Sequence, residues 1–420
     1  MSIAAPILTD EIETAPRLLA GLSPHRALDL EEHIACYGRP APGRELVAEL
    51  EASGLTGRGG AGFPVAAKIR AVTARRGRPV VVVNGVEGEP LSAKDKLLLR
   101  RLPHLVLDGA VALAAAVGSR DVYVAHSAGA TRERYALELA LAERAACHVH
   151  ERIPIRLVAV PDRFVSGQET ALVQFLNGGP ALPTLTPPRP FEAGVARRPT
   201  LIQNAETVAH VAQVARRGAS WFRETGTQAG PGTALFTVSG AVSCPGVREA
   251  PLGTPLRVLI ERAGGLARPA RAVLIGGYAG SWIDARDAAA LTLDEESMRA
   301  HGGSVGVGAV AVLPQGACGL CETARVARYL ADESAGQCGP CVHGLDAIAD
   351  RLERPARSGN RAVLERWAAQ VTGRGACRHP DGAARLVASA VRVFRRELET
   401  HEARRCSSSR TTLLPVPGSR

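Results

Sequence analysis

The sequence predicts an α/β fold: a parallel sheet first, then a small β-rich module, then a helical region. Three observations predict it. Between residues 79 and 160, apolar β-branched runs alternate with helical stretches, the order that right-handed crossovers and a parallel sheet require. After Trp221 the texture changes to short strands set close together. From Ala324 onward the apolar spacing is helical.

The elements follow in order. Residues 1–42 are irregular, with one helix expected near Leu28 to Ala35, and Arg44 to Ala52 reads as a short amphipathic helix running into a glycine-rich loop. Pro79 to Asn84 (PVVVVN) is a continuous run of the kind buried on both faces of a parallel sheet. Leu105 to Val117 reads as a helix, Asp121 to His126 as a strand, Ala130 to Ala146 as a helix and Ile155 to Val160 as a strand. Asn177 to Pro199, dense in proline and glycine, is expected to be an ordered extended loop. Thr233 to Gly240 and Val247 to Glu249 read as strands, Leu256 to Ala263 as a helix and Ala272 to Gly276 as a strand, together the size of a β-grasp module. Helices are expected at Ala324 to Ala331, Val342 to Leu352, Arg361 to Gln370 and Ala383 to Glu397. The expected division is an α/β domain over 1–225 with an irregular N-terminal extension, a β-grasp domain over 226–312, a helical domain over 313–405 and a disordered tail over 406–420.

Composition narrows the function. The chain has 420 residues, 51 basic and 41 acidic side chains, and a net charge of +10. Aromatics are 4% and the arginines are scattered, which argues against stacking platforms or a basic stripe for nucleic acid and favours an acidic partner or anionic cofactors. The N-terminal residues carry Asp10, Glu11 and Glu13, unlike a secretory leader, and the most apolar window, His104 to Val117, is broken by Asp108. A cytoplasmic protein is expected. Nine cysteines, five of them between Cys318 and Cys377, suit a metal or redox cluster in a reducing compartment better than a disulfide framework.

Gly57-Arg58-Gly59-Gly60-Ala61-Gly62 formally contains G-x-G-x-x-G, but a helix and not a strand precedes it, so the simple dinucleotide-binding reading fails on context. What remains is a run of small residues whose main-chain N–H groups can approach a flat ring or a phosphate, with Arg58 and Lys68 adding positive charge. Asn84 to Pro90 (NGVEGEP) follows PVVVVN at its carboxyl end, where open α/β sheets bind ligands. Gly167 to Thr170 and Ile202 to Thr207 supply further polar groups. Solvated turn chemistry is the bland alternative for any one of these segments taken alone.

GLTGRGGAGFP, NGVEGEP, SGQETALVQFLNGG, PPRPFEAGVARRPTLIQNAET and the later cysteines occur in one order. In that order they resemble the NADH-binding flavoprotein subunit of respiratory complex I and related subunits of NAD-linked hydrogenases and formate dehydrogenases, over roughly Leu46 to Leu398. The resemblance implies FMN on the Gly57, Arg58, Gly59, Gly60, Ala61 loop, held by Arg58, Lys68, Asn84, Glu87, Asn204 and Thr207. It implies NADH entering against Phe63, with Glu89 and Glu169 as catalytic groups near its ribose and nicotinamide. The module beginning at Thr233 looks like that family's SLBB domain. The implied activity is hydride transfer from NADH to FMN, followed by single-electron transfer through a [4Fe–4S] cluster to other electron-transfer subunits or an acidic ferredoxin-type carrier. Contact with a membrane would come only through partners. A non-catalytic relay or scaffold subunit that keeps the fold is the alternative.

Cys338-Gly-Pro-Cys341 followed by Cys377 has iron–sulfur character. A redox dithiol is disfavoured because no βαβ unit surrounds the C-x-x-C. Zinc is a competitor, since Cys318 and Cys321 form a second C-x-x-C. The resembled family has C-x-x-C-x-x-C plus a distant fourth cysteine. Here Ala335 replaces the first, leaving Cys338, Cys341 and Cys377, with Cys318, Cys321 or His379 as candidate fourth ligands. Val86 and Gln168 stand where that family carries carboxylates, and Ile69 replaces an aromatic after Lys68. Loss of two carboxylates is expected to make the pocket less negative and to raise the flavin potential.

Overall fold

The computed structural model describes residues 16–23, 25–39, 45–149, 153–406 and 412–417. Four strands form the first sheet: β1 (Val80–Gly85), β2 (Val122–Ser127), β3 (Ile155–Val160) and β4 (Thr200–Asn204). All neighbours are parallel and the order is β3-β2-β1-β4. The chain therefore winds outward from β1 to β3 and returns to β1's other side as β4. The reversal between β1 and β4 is a topological switch point, and the crevice beyond those strand ends is where such sheets accept ligands.

Helices cover the sheet. They are α1 (Leu30–Tyr37), α2 (Leu46–Ser53), α3 (Val65–Thr73), α4 (Lys94–Arg101), α5 (Pro103–Val117), α6 (Thr131–Ala146), α7 (Glu169–Leu176), the single turn α8 (Pro190–Ala193) and α9 (Ala205–Arg223). The sequence expectations for β1, β2, β3, α1, α2, α5 and α6 agree with these elements to within a few residues at their ends. The short charged helices α3 and α4 and the strand β4 carry periodic signals too weak to predict them.

α5 is apolar nearly all round because it lies between the sheet and α9. Its one acidic residue, Asp108, is buried and draws four helices together. Its carboxylate meets His33 Nε2 of α1 at 2.7 Å and accepts from the guanidinium groups of Arg144 on α6 and Arg216 on α9. Burial opposes ionisation here, but His33 and the two arginines outweigh it and hold Asp108 at about 2.

A second, mixed sheet follows, made of β5 (Thr233–Gly240), β6 (Gly246–Pro251), β7 (Ala270–Ile275), β8 (Ser281–Asp284) and β9 (Ala309–Pro314), in the order β6-β5-β9-β7-β8. β5 and β9 are parallel and the other pairs antiparallel. α10 (Leu256–Arg262) packs on it, and α11 (Ala285–Ala288) and α12 (Glu295–Ala300) lie in the long connection to β9. The closing region consists of α13 (Gly319–Asp332), a π-helical turn at Pro340–Leu345, α14 (Asp346–Glu353), α15 (Asn360–Val371), α16 (His379–Val393) and α17 (Arg395–Glu402). It docks on the mixed sheet through Trp282, whose indole N–H donates to Thr323 Oγ1 at 2.9 Å and whose ring meets Phe394 edge-on at 5.1 Å.

One expectation is corrected. Within the tail expected to be disordered, residues 413–416 are packed: Leu414 is buried, and the N–H groups of Leu413 and Leu414 both donate to the Glu322 carboxylate at 3.0 Å. Polar composition hid one apolar anchor and a buried acceptor waiting for it.

Asp108→Asn is expected to lower unfolding free energy by about 3–5 kcal/mol in denaturant titration, because it leaves two buried guanidinium groups without a counter-charge. A carboxylate held below its unfolded value stabilises above the unfolded pKa. The Asp108 contribution should thus persist from neutral pH down to about 4 and be lost as pH falls toward 2.

Candidate functional site

The crevice is built from four segments at the carboxyl edge of the first sheet. Asn84 of β1 and Asn204 of β4 are register partners at the switch point. Asn84 Nδ2 donates to the Gly167 carbonyl at 2.7 Å, so the segment before α7 is tied to the end of β1. Gly167 lies against Val86, where a Cβ would stand 2.7 Å from the Val86 carbonyl oxygen, too close for any side chain. Asn204 is both a cap and a bridge. Its Oδ1 accepts from the Glu206 N–H at the start of α9 and from Lys94 Nζ, each at 3.1 Å, and its Nδ2 donates to Asp95 at 2.7 Å.

Beneath Asn204 is a buried ionic cluster that the sequence reading missed. Lys94 Nζ lies 2.9 Å from Glu206 and 3.1 Å from Asp95, and all three side chains are almost fully enclosed. Burial raises Asp95 to about 6, whereas Lys94 and His210 together outweigh burial at Glu206 and hold it at about 2. The available signal was a charged pair, Lys94-Asp95, heading the apolar run Leu97 to Leu99.

The glycine loop lies over this floor. Arg58 N–H donates to Thr207 Oγ1 at 2.8 Å, which seats the loop on the first turn of α9. The Arg58 guanidinium turns away, donating to the carbonyls of Pro231 and Thr233 and to Thr56 Oγ1, while its buried Nε has no partner. A Cβ at Gly59 would come within 3.2 Å of Asn204 Cβ, so any side chain there would have to push Asn204 or the loop aside by a few tenths of an ångström. Gly59, Gly60, Ala61 and Gly62 remain exposed, and Phe63 is half exposed at the loop's edge. Behind the loop, a cavity of 460 Å³ is walled by Gly57, Arg58, Glu206, Glu295 and the Val305 to Gly308 turn.

The remaining expected site residues fall into two groups. Lys68 of α3 reaches Glu169 Oε2 at 3.3 Å and the Ile202 carbonyl at 3.4 Å, and with Phe63 these two line a second, smaller hollow of 90 Å³. Glu87 and Glu89 face inward instead. Glu87 accepts from the Asp95 and Lys96 N–H groups at 3.2 and 3.1 Å and so caps α4, with the Ser92 hydroxyl on the same carboxylate. Glu89 accepts from the N–H groups of Leu91 at 3.1 Å and Tyr278 at 2.8 Å, latching the β1 loop to the mixed sheet, and burial pushes it up to about 7.

The departures have local explanations. Val86 is buried in an apolar cluster with Val80, Val82, Val160 and Leu172, so the missing carboxylate there is replaced by packing. Gln168 Oε1 accepts from the N–H groups of Thr170 and Ala171 at 2.7 and 3.0 Å and caps α7, as a carboxylate could. Neither Val86 nor Gln168 carries a charge, and the Val86 side chain belongs to the core.

Cys338 and Cys341 lie at the π-helical turn and Cys377 just before α16, near enough that Cys338 and Cys377 both act on the Cys341 thiol. Burial, and then the neighbouring Cys338 thiol, push Cys341 up to about 12, and burial also raises Cys377. Such thiols ionise when a metal takes the charge. Of the candidate fourth ligands, His379 holds the Leu330 carbonyl through Nε2 at 2.6 Å. Cys318 and Cys321 face His401, at 3.4 and 3.9 Å, and not Cys338.

Comparison with known proteins agrees with this geometry. Residues 50–213 match the Nuo51 FMN-binding domain, 235–278 the SLBB domain, and 316–401 the NADH-ubiquinone oxidoreductase-F iron-sulfur binding region. The second F-type NADH-quinone oxidoreductase subunit of Rhizobium meliloti is 33% identical over 86% of this chain and 90% of its own length. The F-type NADH-quinone oxidoreductase subunit of Rhodobacter capsulatus is 32% identical over 84% of this chain and 86% of its own. The solved H2-reduced NAD+-reducing [NiFe]-hydrogenase superposes with a TM-score of 0.78 at 28% identity, covering 88% of this chain. The present chain spans 63% of the length of that hydrogenase chain.

Glu89 protonates in the native state at a higher pH than in the unfolded chain. Native stability should therefore fall as pH rises from about 4.5 to 7, by at most about 1.4 kcal/mol per pH unit. Glu89→Gln should flatten that slope in chemical denaturation series run across the interval.

Proposed function

The chain belongs to the family of F-type subunits of NADH-quinone oxidoreductases, and on that footing we propose that it oxidises NADH at FMN and passes electrons onward through an iron–sulfur cluster. One observation carries this reading. The main chain of Gly59 to Gly62 is exposed over the β1–β4 switch point, with Gly59 drawn close to Asn204 and Gly60 and Gly62 in the left-handed backbone region that favours glycine. The residues fit FMN: the glycine cradle admits a flat ring, and Arg58, whose buried Nε has no partner, lines the adjoining cavity. They fit a cluster through three thiols, with Ala335 in place of the fourth.

When bound, FMN accepts a two-electron hydride and releases electrons singly, which is the form an iron–sulfur centre takes up. The protein's part is positional. Main-chain amides of the loop from Gly57 to Ala61 would hold the ring, and Lys68 would supply a cationic group beside it. Asn84, Asn204 and Thr207 act through their hydrogen bonds to fix the loop and strand ends at which the ring rests. Glu87 and Glu89 shape the loop between them, one by capping α4 and the other by latching onto Tyr278. Phe63 presents an apolar edge on which nicotinamide can stack. Glu169, restrained by Lys68, would orient the nucleotide from the same hollow that Phe63 lines. Cys338, Cys341 and Cys377 hold the cluster.

This division of labour follows a flavin domain over 1–225, an SLBB domain over 226–312 and a cluster domain over 313–405. The relatives are subunits, so the electrons are taken to leave through partner subunits, and the net charge of +10 favours an acidic carrier. No helix among the described residues is long and apolar enough to cross a membrane.

Purified protein should be yellow and reduce ferricyanide with NADH. A folded chain that takes up no FMN when it is supplied in excess would overturn the reading in favour of a scaffold role. Gly59→Val forces the loop off Asn204 and should weaken FMN binding at least about tenfold in fluorescence titration, with little change in melting temperature. Cys341→Ser should abolish the electron paramagnetic resonance signal of the reduced cluster while leaving flavin bleaching by NADH intact.

A further inference from the structure

A second group of thiols lies outside both the flavin crevice and the three cluster cysteines. Cys318 stands at the N-terminus of α13 and Cys321 lies one turn on, so their thiols point the same way. His401 is in the last turn of α17, and Cys406 follows it closely. Between them Arg404 takes a left-handed backbone, φ 55°, which folds the chain back toward α13.

The sulfurs of Cys318, Cys321 and Cys406 and one ring nitrogen of His401 all lie within 4.8 Å of one another. His401 Nε2 is 3.4 Å from Cys318 Sγ and 3.9 Å from Cys321 Sγ, and Cys321 Sγ is 3.6 Å from Cys406 Sγ. A tetrahedral zinc ion with bonds of about 2.3 Å to sulfur and about 2.0 Å to nitrogen spaces its ligands about 3.5–3.8 Å apart. The three separations bracket that edge length.

We propose that Cys318, Cys321, His401 and Cys406 bind one structural zinc ion, separate from the iron–sulfur cluster. Three thiols and one imidazole in tetrahedral array are the donor set that zinc takes in closed structural sites. A multi-iron cluster would spread thiolates over different metals, whereas these four converge on a single point. Binding releases the three thiol protons, and the site then carries one net negative charge, with the basic residues Arg404 and Arg405 directly preceding Cys406 in the chain. The ion ties the start of α13 to the end of α17. Those ends bracket Cys338, Cys341 and Cys377 along the chain, so the zinc closes the segment that carries the cluster.

The test uses the full-length protein as purified. Elemental analysis should find about one zinc per chain in addition to iron, and zinc-edge X-ray absorption should show three sulfur neighbours and one nitrogen. Replacement with cobalt(II) should give the thiolate charge-transfer and tetrahedral ligand-field bands. Cys321→Ser/Cys406→Ser should lose at least about nine-tenths of the zinc, whereas Cys147→Ser, an exposed cysteine elsewhere, should lose none. The proposal is overturned if the wild-type protein holds no zinc after growth with zinc supplied, if iron fills the four-ligand site, if Cys321 and Cys406 are isolated as a disulfide, or if zinc persists in the double variant. If that variant fails to fold, the wild-type stoichiometry and absorption spectrum still decide between these outcomes, and both are independent of flavin binding and of NADH oxidation.

Discussion

The buried ammonium of Lys94 is the contact on which the crevice depends. It touches Asp95 on its own helix, Glu206 on α9 and Asn204 at the end of β4, so one charge joins the three elements that meet at the switch point. Two carboxylates this close would repel in a low-dielectric interior. The ammonium between them turns the repulsion into a clamp, which is the condition under which buried charge is tolerated. Everything laid above it inherits its rigidity: Asn204 is held by Lys94 and Asp95, Gly59 rests on Asn204, and Arg58 is pinned to Thr207 one turn along α9.

This explains why so many polar side chains near the crevice are occupied with the fold. Asn84, Asn204, Glu87 and Glu89 each spend their hydrogen-bonding capacity on neighbouring backbone or side chains. What they leave uncovered is main chain at Gly59 to Gly62, a surface of amide dipoles suited to an anionic or electron-rich ring. Specificity then comes from shape and from a few movable groups, chiefly Lys68, Glu169 and Phe63, which line the open side. The same economy applies to the departures from the family pattern. Gln168 caps α7 through a neutral oxygen, and Val86 fills a core.

The helical region separates two uses of cysteine. Cys341 lies in the π-helical turn, which packs against α13, α15 and α16, with Cys338 just before that turn and Cys377 just before α16. Cys318 and Cys321 start α13 at its other end and meet α17 instead. One helix therefore connects the two thiol groups, and its length of fourteen residues keeps them apart. The mixed sheet anchors this arrangement through Trp282 and Tyr278, the latter also receiving Glu89, so the flavin and cluster regions share one brace.

Strong periodic signals made part of this legible in advance. PVVVVN could only be a buried strand, α5 and α6 showed helical spacing, and the small residues around Arg58 declared a loop that approaches a ligand. The C-x-x-C at Cys338 and the distant Cys377 marked a metal-binding or redox region, and the order of the neighbouring motifs favoured iron–sulfur over zinc or a dithiol. The rest needed three dimensions. That Asn84 and Asn204 are partners follows from strand order, since 120 residues separate them and only the return of β4 beside β1 brings them together. That Glu87 and Glu89 face inward, that Lys94 lies under Asn204, and that His401 and Cys406 meet Cys318 and Cys321 are all long-range contacts. Local sequence dictates backbone shape and chemical type. Which distant side chain satisfies a buried donor or acceptor is decided only when the elements pack.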